Sequence, residues 1–125
     1  MTTVQYPRRF PAWLALCATA LLGLSQAQAH AKLVTAEPAA DTTVAAPKMI
    51  QLQFSEELAK KLSSIKLTDT DGKPVTIMSM EAKDAKSLVI MANSSLVPGL
   101  YTVSWVAVTT DDGHKTTGSY SFTVK

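Results

Sequence analysis

Cysteine is almost missing from this chain: there is one in 125 residues, Cys17, and it lies in an apolar leader. Beyond residue 29 there is none, which excludes a stabilising disulfide, a cysteine nucleophile and a Cys/His zinc cluster. Histidine is nearly as scarce, with only His30 and His114. No Gly-x-Ser-x-Gly elbow and no glycine-rich phosphate loop occurs, so serine hydrolase and nucleotide chemistry lack their usual groundwork. Glu56 and Glu57 are adjacent and point apart in extended chain, which argues against a shared carboxylate pair. Surplus positive charge is missing too. Ten Lys and ten Asp/Glu follow residue 29, and the excess +2 belongs to Arg8 and Arg9. No basic face remains to attract nucleic acid or an anionic membrane. The longest apolar run, Trp13–Leu24, is shorter than the roughly 20 residues that span a bilayer, so no membrane insertion of the later chain is expected.

What is present begins with that run. A basic segment without acid, about a dozen apolar residues and the small-x-small site Ala27-Gln28-Ala29 describe a secretory signal peptide over residues 1–29. Cleavage after Ala29 leaves one domain, residues 30–125; cleavage after Ala27 satisfies the same pattern and would leave Gln28 first. Arg8-Arg9-Phe10 is similar to a twin-arginine signal but lacks a preceding serine and is followed by Pro11. Cys17 sits inside the apolar run after Leu16 and reads as an incidental leader residue.

After residue 30 helical periodicity is scarce and strand alternation frequent. The expected strands are Lys32–Glu37 (stopped by Pro38), Met49–Phe54, Ser64–Thr68, Val75–Met80, Ser87–Met91, Leu100–Val108 and Gly118–Val124. Ala39–Pro47 reads as a turn and an edge loop. Ser55–Leu62 fits either one helical turn capped by Ser55 or a strand end. Asp71-Gly72 and Asp112-Gly113 are turn signals. About seven short strands at this spacing predict an all-β fold, a Greek-key β-sandwich of immunoglobulin-like or cupredoxin-like type. A small closed barrel is the alternative. Tyr101, Val103 and Trp105 form the face expected to pack against a second sheet.

The two histidines carry the chemistry. If His30 becomes the first residue, its α-amine and imidazole form a chelate within one residue. His114 adds a nitrogen, and Asp112, two positions before it, adds an oxygen from the same side of an extended segment. Such a set of nitrogen and oxygen donors suits Cu(II). The competing reading is bland: a histidine beside a leader and a polar turn. Met78 and Met80 are soft thioethers on one strand face, although methionines at such positions more often pack. Met49 and Met91 read as packing.

Together these residues resemble one family. His30-Ala31-Lys32-Leu33-Val34, Glu37-Pro38-Ala39, Leu52-Gln53-Phe54-Ser55-Glu56, Pro98-Gly99-Leu100-Tyr101, Val103-Ser104-Trp105 and Asp112-Gly113-His114 with Thr117-Gly118 are similar to the CopC-like periplasmic copper-binding domains. The resemblance implies a Greek-key sandwich that holds one Cu(II) per mature chain through His30, Asp112 and His114. It places Glu56 beside this site as an extra weak ligand or a partner of the ligands. Some relatives bind Cu(I) in a methionine-rich loop; here the region 67–80 has only Met78 and Met80, so Cu(I) is not expected. The implied role is copper homeostasis or resistance in the periplasm, without enzymatic activity and with a CopD-type inner-membrane protein as partner. Two rivals stand beside it: a copper monooxygenase-like enzyme using the same histidine chelate, and a metal-free module that binds proteins.

Overall fold

In the computed structural model, which describes residues 2, 3 and 30–125, the domain is built of strands alone. They are β1 (Leu33–Glu37), β2 (Thr43–Val44), β3 (Met49–Phe54), β4 (Ser64–Thr68), β5 (Ile77–Met80), β6 (Ser87–Ala92), β7 (Gly99–Val108) and β8 (Lys115–Val124). One sheet has the order β1-β3-β6-β5 and the other β2-β8-β7-β4. All neighbours are antiparallel except β2, which runs parallel to β8. The chain changes sheets at every step from β1 to β5 and again between β6 and β7, with β5–β6 and β7–β8 joined within one sheet, as a sandwich with Greek-key connections requires.

Alternation explains why these segments are strands. In β3, Ile50, Leu52 and Phe54 are buried while Met49, Gln51 and Gln53 are exposed. In β7, Tyr101, Val103, Trp105 and Ala107 point into the core. The inner faces meet through Phe54 and Trp105, whose rings pack edge to face with centroids 5.0 Å apart. Tyr101 stacks on Phe122 and donates its hydroxyl to the Val97 carbonyl at 2.8 Å. That bond ties the connection before β7 to its own strand, so a buried phenol keeps a partner.

Several expectations need correction. Eight strands form rather than about seven, because Thr43 and Val44, within the stretch expected as loop, pair with Thr123 and Val124. A single hydrogen-bonded turn closes only at the end of Ser55–Leu62, where the Leu62 N–H donates to the Ala59 carbonyl, and Ser55 caps no helix but ends the strand. Its hydroxyl accepts from the Lys32 N–H at 2.9 Å, and the Leu58 N–H donates to the Ala85 carbonyl. Those backbone groups are spent on neighbouring segments and are not free for a helix. Met49 is 51% exposed, so it does not pack in the core. Met78 and Met80 are 54% and 39% exposed. They do share a strand face, but it is the solvent face. The leader, its cleavage sites and Cys17 lie outside the described residues.

The register gathers one end of the sandwich. The start of β1 pairs with the end of β3, and the end of β3 pairs with the start of β6. The β7–β8 connection, residues 109–114, lies at the same end. The two sheets are stitched there by a bridge between Leu58 and Thr109. Two further bonds cross nearby, from the Ala59 N–H to the Val108 carbonyl and from the Thr110 N–H to the Glu57 carbonyl.

Candidate metal centre

The segment 55–58 is the hinge point of the site. On one side it holds the N-terminal stretch: the Ser55 N–H donates to the Lys32 carbonyl, and the Ser55 hydroxyl accepts from the Lys32 N–H. On its other side it holds the 109–114 loop, through Leu58 and Glu57. Ala31 is fully buried and anchors the chain between these contacts. His30, one residue earlier, is thereby set on the loop that carries His114. Their rings stack with centroids 4.9 Å apart and planes inclined by 25°.

The loop has its own order. Gly113 takes φ +68°, a left-handed conformation that costs other L-residues about 1–2 kcal/mol. This kink turns the His114 N–H back onto Asp112 Oδ1 at 3.1 Å. The Thr109 hydroxyl donates to the same oxygen at 2.5 Å. The other carboxylate oxygen, Oδ2, lies 3.4 Å from His114 Nδ1. The hydrogen bond from Thr109, then that from the His114 backbone, holds the Asp112 carboxyl below its usual range. It is an anion at neutral pH, as a metal ligand must be.

His114 is therefore the meeting point: His30 stacks on its ring and Asp112 faces its Nδ1. All three side chains are solvent-accessible, His114 at 53% and Asp112 at 35%. The pairs do not yet form a closed cage, for no three His, Cys, Asp or Glu side chains among the described residues are gathered to metal-holding distance. One nitrogen of the expected set is also tied up covalently, because in the full chain His30 N is in a peptide bond to Ala29. Glu56 is half-buried in the segment that joins the two halves of the site, and Glu57 is exposed. Sequence reading did not single out Thr109. An ST-type residue three positions before an aspartate is a common turn pattern, and only its burial marks it.

The thioethers are arranged differently. Met49 stands opposite Met91, and Met91 opposite Met78, in one row across β3, β6 and β5. Two strand spacings, roughly 10 Å, separate the outer members, so the row does not converge on a point.

Known proteins resemble this chain over most of its described length. The family model of the CopC domain matches residues 33–125. Copper resistance protein C of Escherichia coli is 45% identical over 107 residues, covering 79% of this chain and 84% of that protein. Protein YobA of Escherichia coli (strain K12) is 43% identical over 117 residues, covering 90% and 91%. The crystal structure of PcoC, a methionine-rich copper resistance protein from Escherichia coli, superposes with a TM-score of 0.72 at 45% identity. It covers 78% of this chain and 100% of that one.

Proposed function

Because this chain belongs to the CopC domain family, we propose that it is a periplasmic copper-binding protein of copper resistance, with one Cu(II) held by His30, Asp112 and His114. The observation that carries the reading is the contact between His30 and His114, 84 positions apart in sequence and 4.9 Å apart in space. Removal of residues 1–29 frees the His30 α-amine, so the chelate arises by maturation. Glu56 then lies beside the site as a weak ligand or as a hydrogen-bond partner of the ligands. Cu(I) has no place in this reading, since the region 67–80 supplies two outward-facing methionines and no histidine. A CopD-type inner-membrane protein is the expected acceptor or donor of the metal.

The chain acts as a binder rather than an enzyme. A copper monooxygenase keeps a coordination position open for oxygen, whereas a carboxylate ligand such as Asp112 would occupy one. Reductant-dependent peroxide consumption by the copper-loaded domain would favour the enzymatic rival. Failure to take up copper would favour the metal-free module.

The test is an intact mass of the exported protein followed by Cu(II) titration. The mass should correspond to a chain beginning at His30, with one equivalent bound. His114→Ala should weaken binding by about 100-fold or more, beyond what loss of a mere supporting partner costs. Affinity should also fall in mild acid, because copper must displace protons from the rings and the amine. A mature chain starting at Gln28, or an affinity that is flat from pH 7.5 to 5.5, would overturn the ligand set.

A further inference from the structure

Thr109 follows β7 directly and is 3% exposed, one of two buried polar residues among those described. Each of its polar groups is spent on the loop it opens. Its N–H donates to the His114 carbonyl and its carbonyl accepts from the Gly113 N–H, both at 3.1 Å. Its hydroxyl donates to Asp112 Oδ1 at 2.5 Å. The His114 N–H reaches that oxygen as well, at 3.1 Å. A carboxylate oxygen offers two lone pairs, so Oδ1 is saturated from within the loop. Oδ2 accepts no hydrogen bond and faces His114 Nδ1.

We propose that Thr109 is a positioning residue that makes Asp112 a one-oxygen ligand: by occupying Oδ1 it presents Oδ2 alone to copper, on the His114 side. The inference rests on the copper site described above and goes beyond it by assigning the denticity of its carboxylate. Without the hydroxyl, Oδ1 keeps one donor and the carboxylate rotates freely about its terminal torsion, which is broad by nature. A carboxylate that turns spends part of its time aimed away from the metal or grips it with both oxygens. Either change alters the ligand field, a property that a purely structural threonine leaves alone.

The experiment compares the mature wild-type chain with Thr109→Val and Thr109→Ser by Cu(II) titration and by electron paramagnetic resonance of the copper-loaded proteins. Thr109→Val should weaken binding about 10- to 100-fold, the range typical of partners that orient metal ligands. It should also shift the copper spectrum, and Thr109→Ser should restore both. In an Asp112→Ala background the Thr109→Val change should have no further effect on affinity, since its route to the metal is gone. Should the valine chain fail to fold, Ser and Ala at position 109 decide the matter, as they differ only by the hydroxyl. A hydroxyl-free variant with wild-type affinity and spectrum overturns the positioning role while the copper site stands. A wild-type chain that binds no Cu(II) overturns both.

Discussion

Gly118 shows how much one missing side chain contributes to this core. It lies opposite Trp105 in the β7–β8 ladder, on the face turned inward. A Cβ there would fall 2.7 Å from Trp105 Cε2 and closer still to Cζ2. The indole occupies that space and meets Phe54 edge-on across the sandwich. Gly118→Ala should therefore destabilise the domain by about 1–3 kcal/mol, the usual cost of overpacking a filled core. For a domain of this size each kcal/mol is worth roughly 4–8 °C in Tm. A thermal melt of the metal-free chain reads the difference, and an unchanged melt would mean that the indole has room to move. Gly113 is the opposite case. No atom crowds its missing side chain, and glycine is required there by the backbone alone, at φ +68°.

At the level of the element, β8 couples the two sheets through Tyr120. The residue alternates inward with Phe122 and Val124, yet its hydroxyl is buried without a hydrogen-bond partner. Burial, and then the Glu37 carboxylate at the end of β1, push the phenol up to about 12. The sign follows from which state holds the proton more tightly. An unfolded tyrosine titrates near ~10, so the folded protein binds this proton more firmly. The contribution is fully present below about pH 10 and is lost as pH rises through 12. Urea midpoints measured from pH 8 to 12 should fall across that window. In Tyr120→Phe the fall should be smaller, and stability at neutral pH should be equal or higher because no unpaired hydroxyl is left in the core. An equal fall in both chains would place the alkaline loss elsewhere.

Elements differ in how plainly they are written. Met49–Phe54 and Ser64–Thr68 have the limits that alternation predicts, since each buries one face fully and exposes the other. Strand β1 blurs because its pairing shifts between Leu33 and Thr35, which breaks the period. Strand β2 is invisible to periodicity: two residues cannot alternate, and its existence depends on the partner β8. Strand β8 begins at Lys115 rather than Gly118 because Lys115, Thr116 and Thr117 pair with β7 although none is apolar. Hydrogen bonding extends the hairpin past the point where burial ends.

For the whole molecule, the site joins the first residues of the domain to its last hairpin connection. Copper held across that junction in the proposed site would bind the folded chain more tightly than the unfolded one, which keeps only the chelate within His30. At a free Cu(II) concentration 100 times Kd the mature protein should gain up to about 2.7 kcal/mol. The corresponding rise in Tm, roughly 10–20 °C, should shrink strongly in a chain that keeps Ala29 before His30, because the amine is then an amide. Equal copper-induced shifts in the two chains would show that the amine is not a ligand.

The sequence by itself determined the class of the fold and the short list of residues with metal chemistry. Strand periodicity is a local property, and with two histidines in the domain few ligand sets exist. Only the tertiary structure decided that His30 and His114 are neighbours. Their meeting depends on the Lys32–Ser55 and Leu58–Thr109 contacts, which join segments more than twenty and fifty positions apart. The same holds for Thr109 and for the outward row of Met49, Met91 and Met78. Whether a threonine is buried, or a methionine faces solvent, is settled by the partner strand and not by the residue.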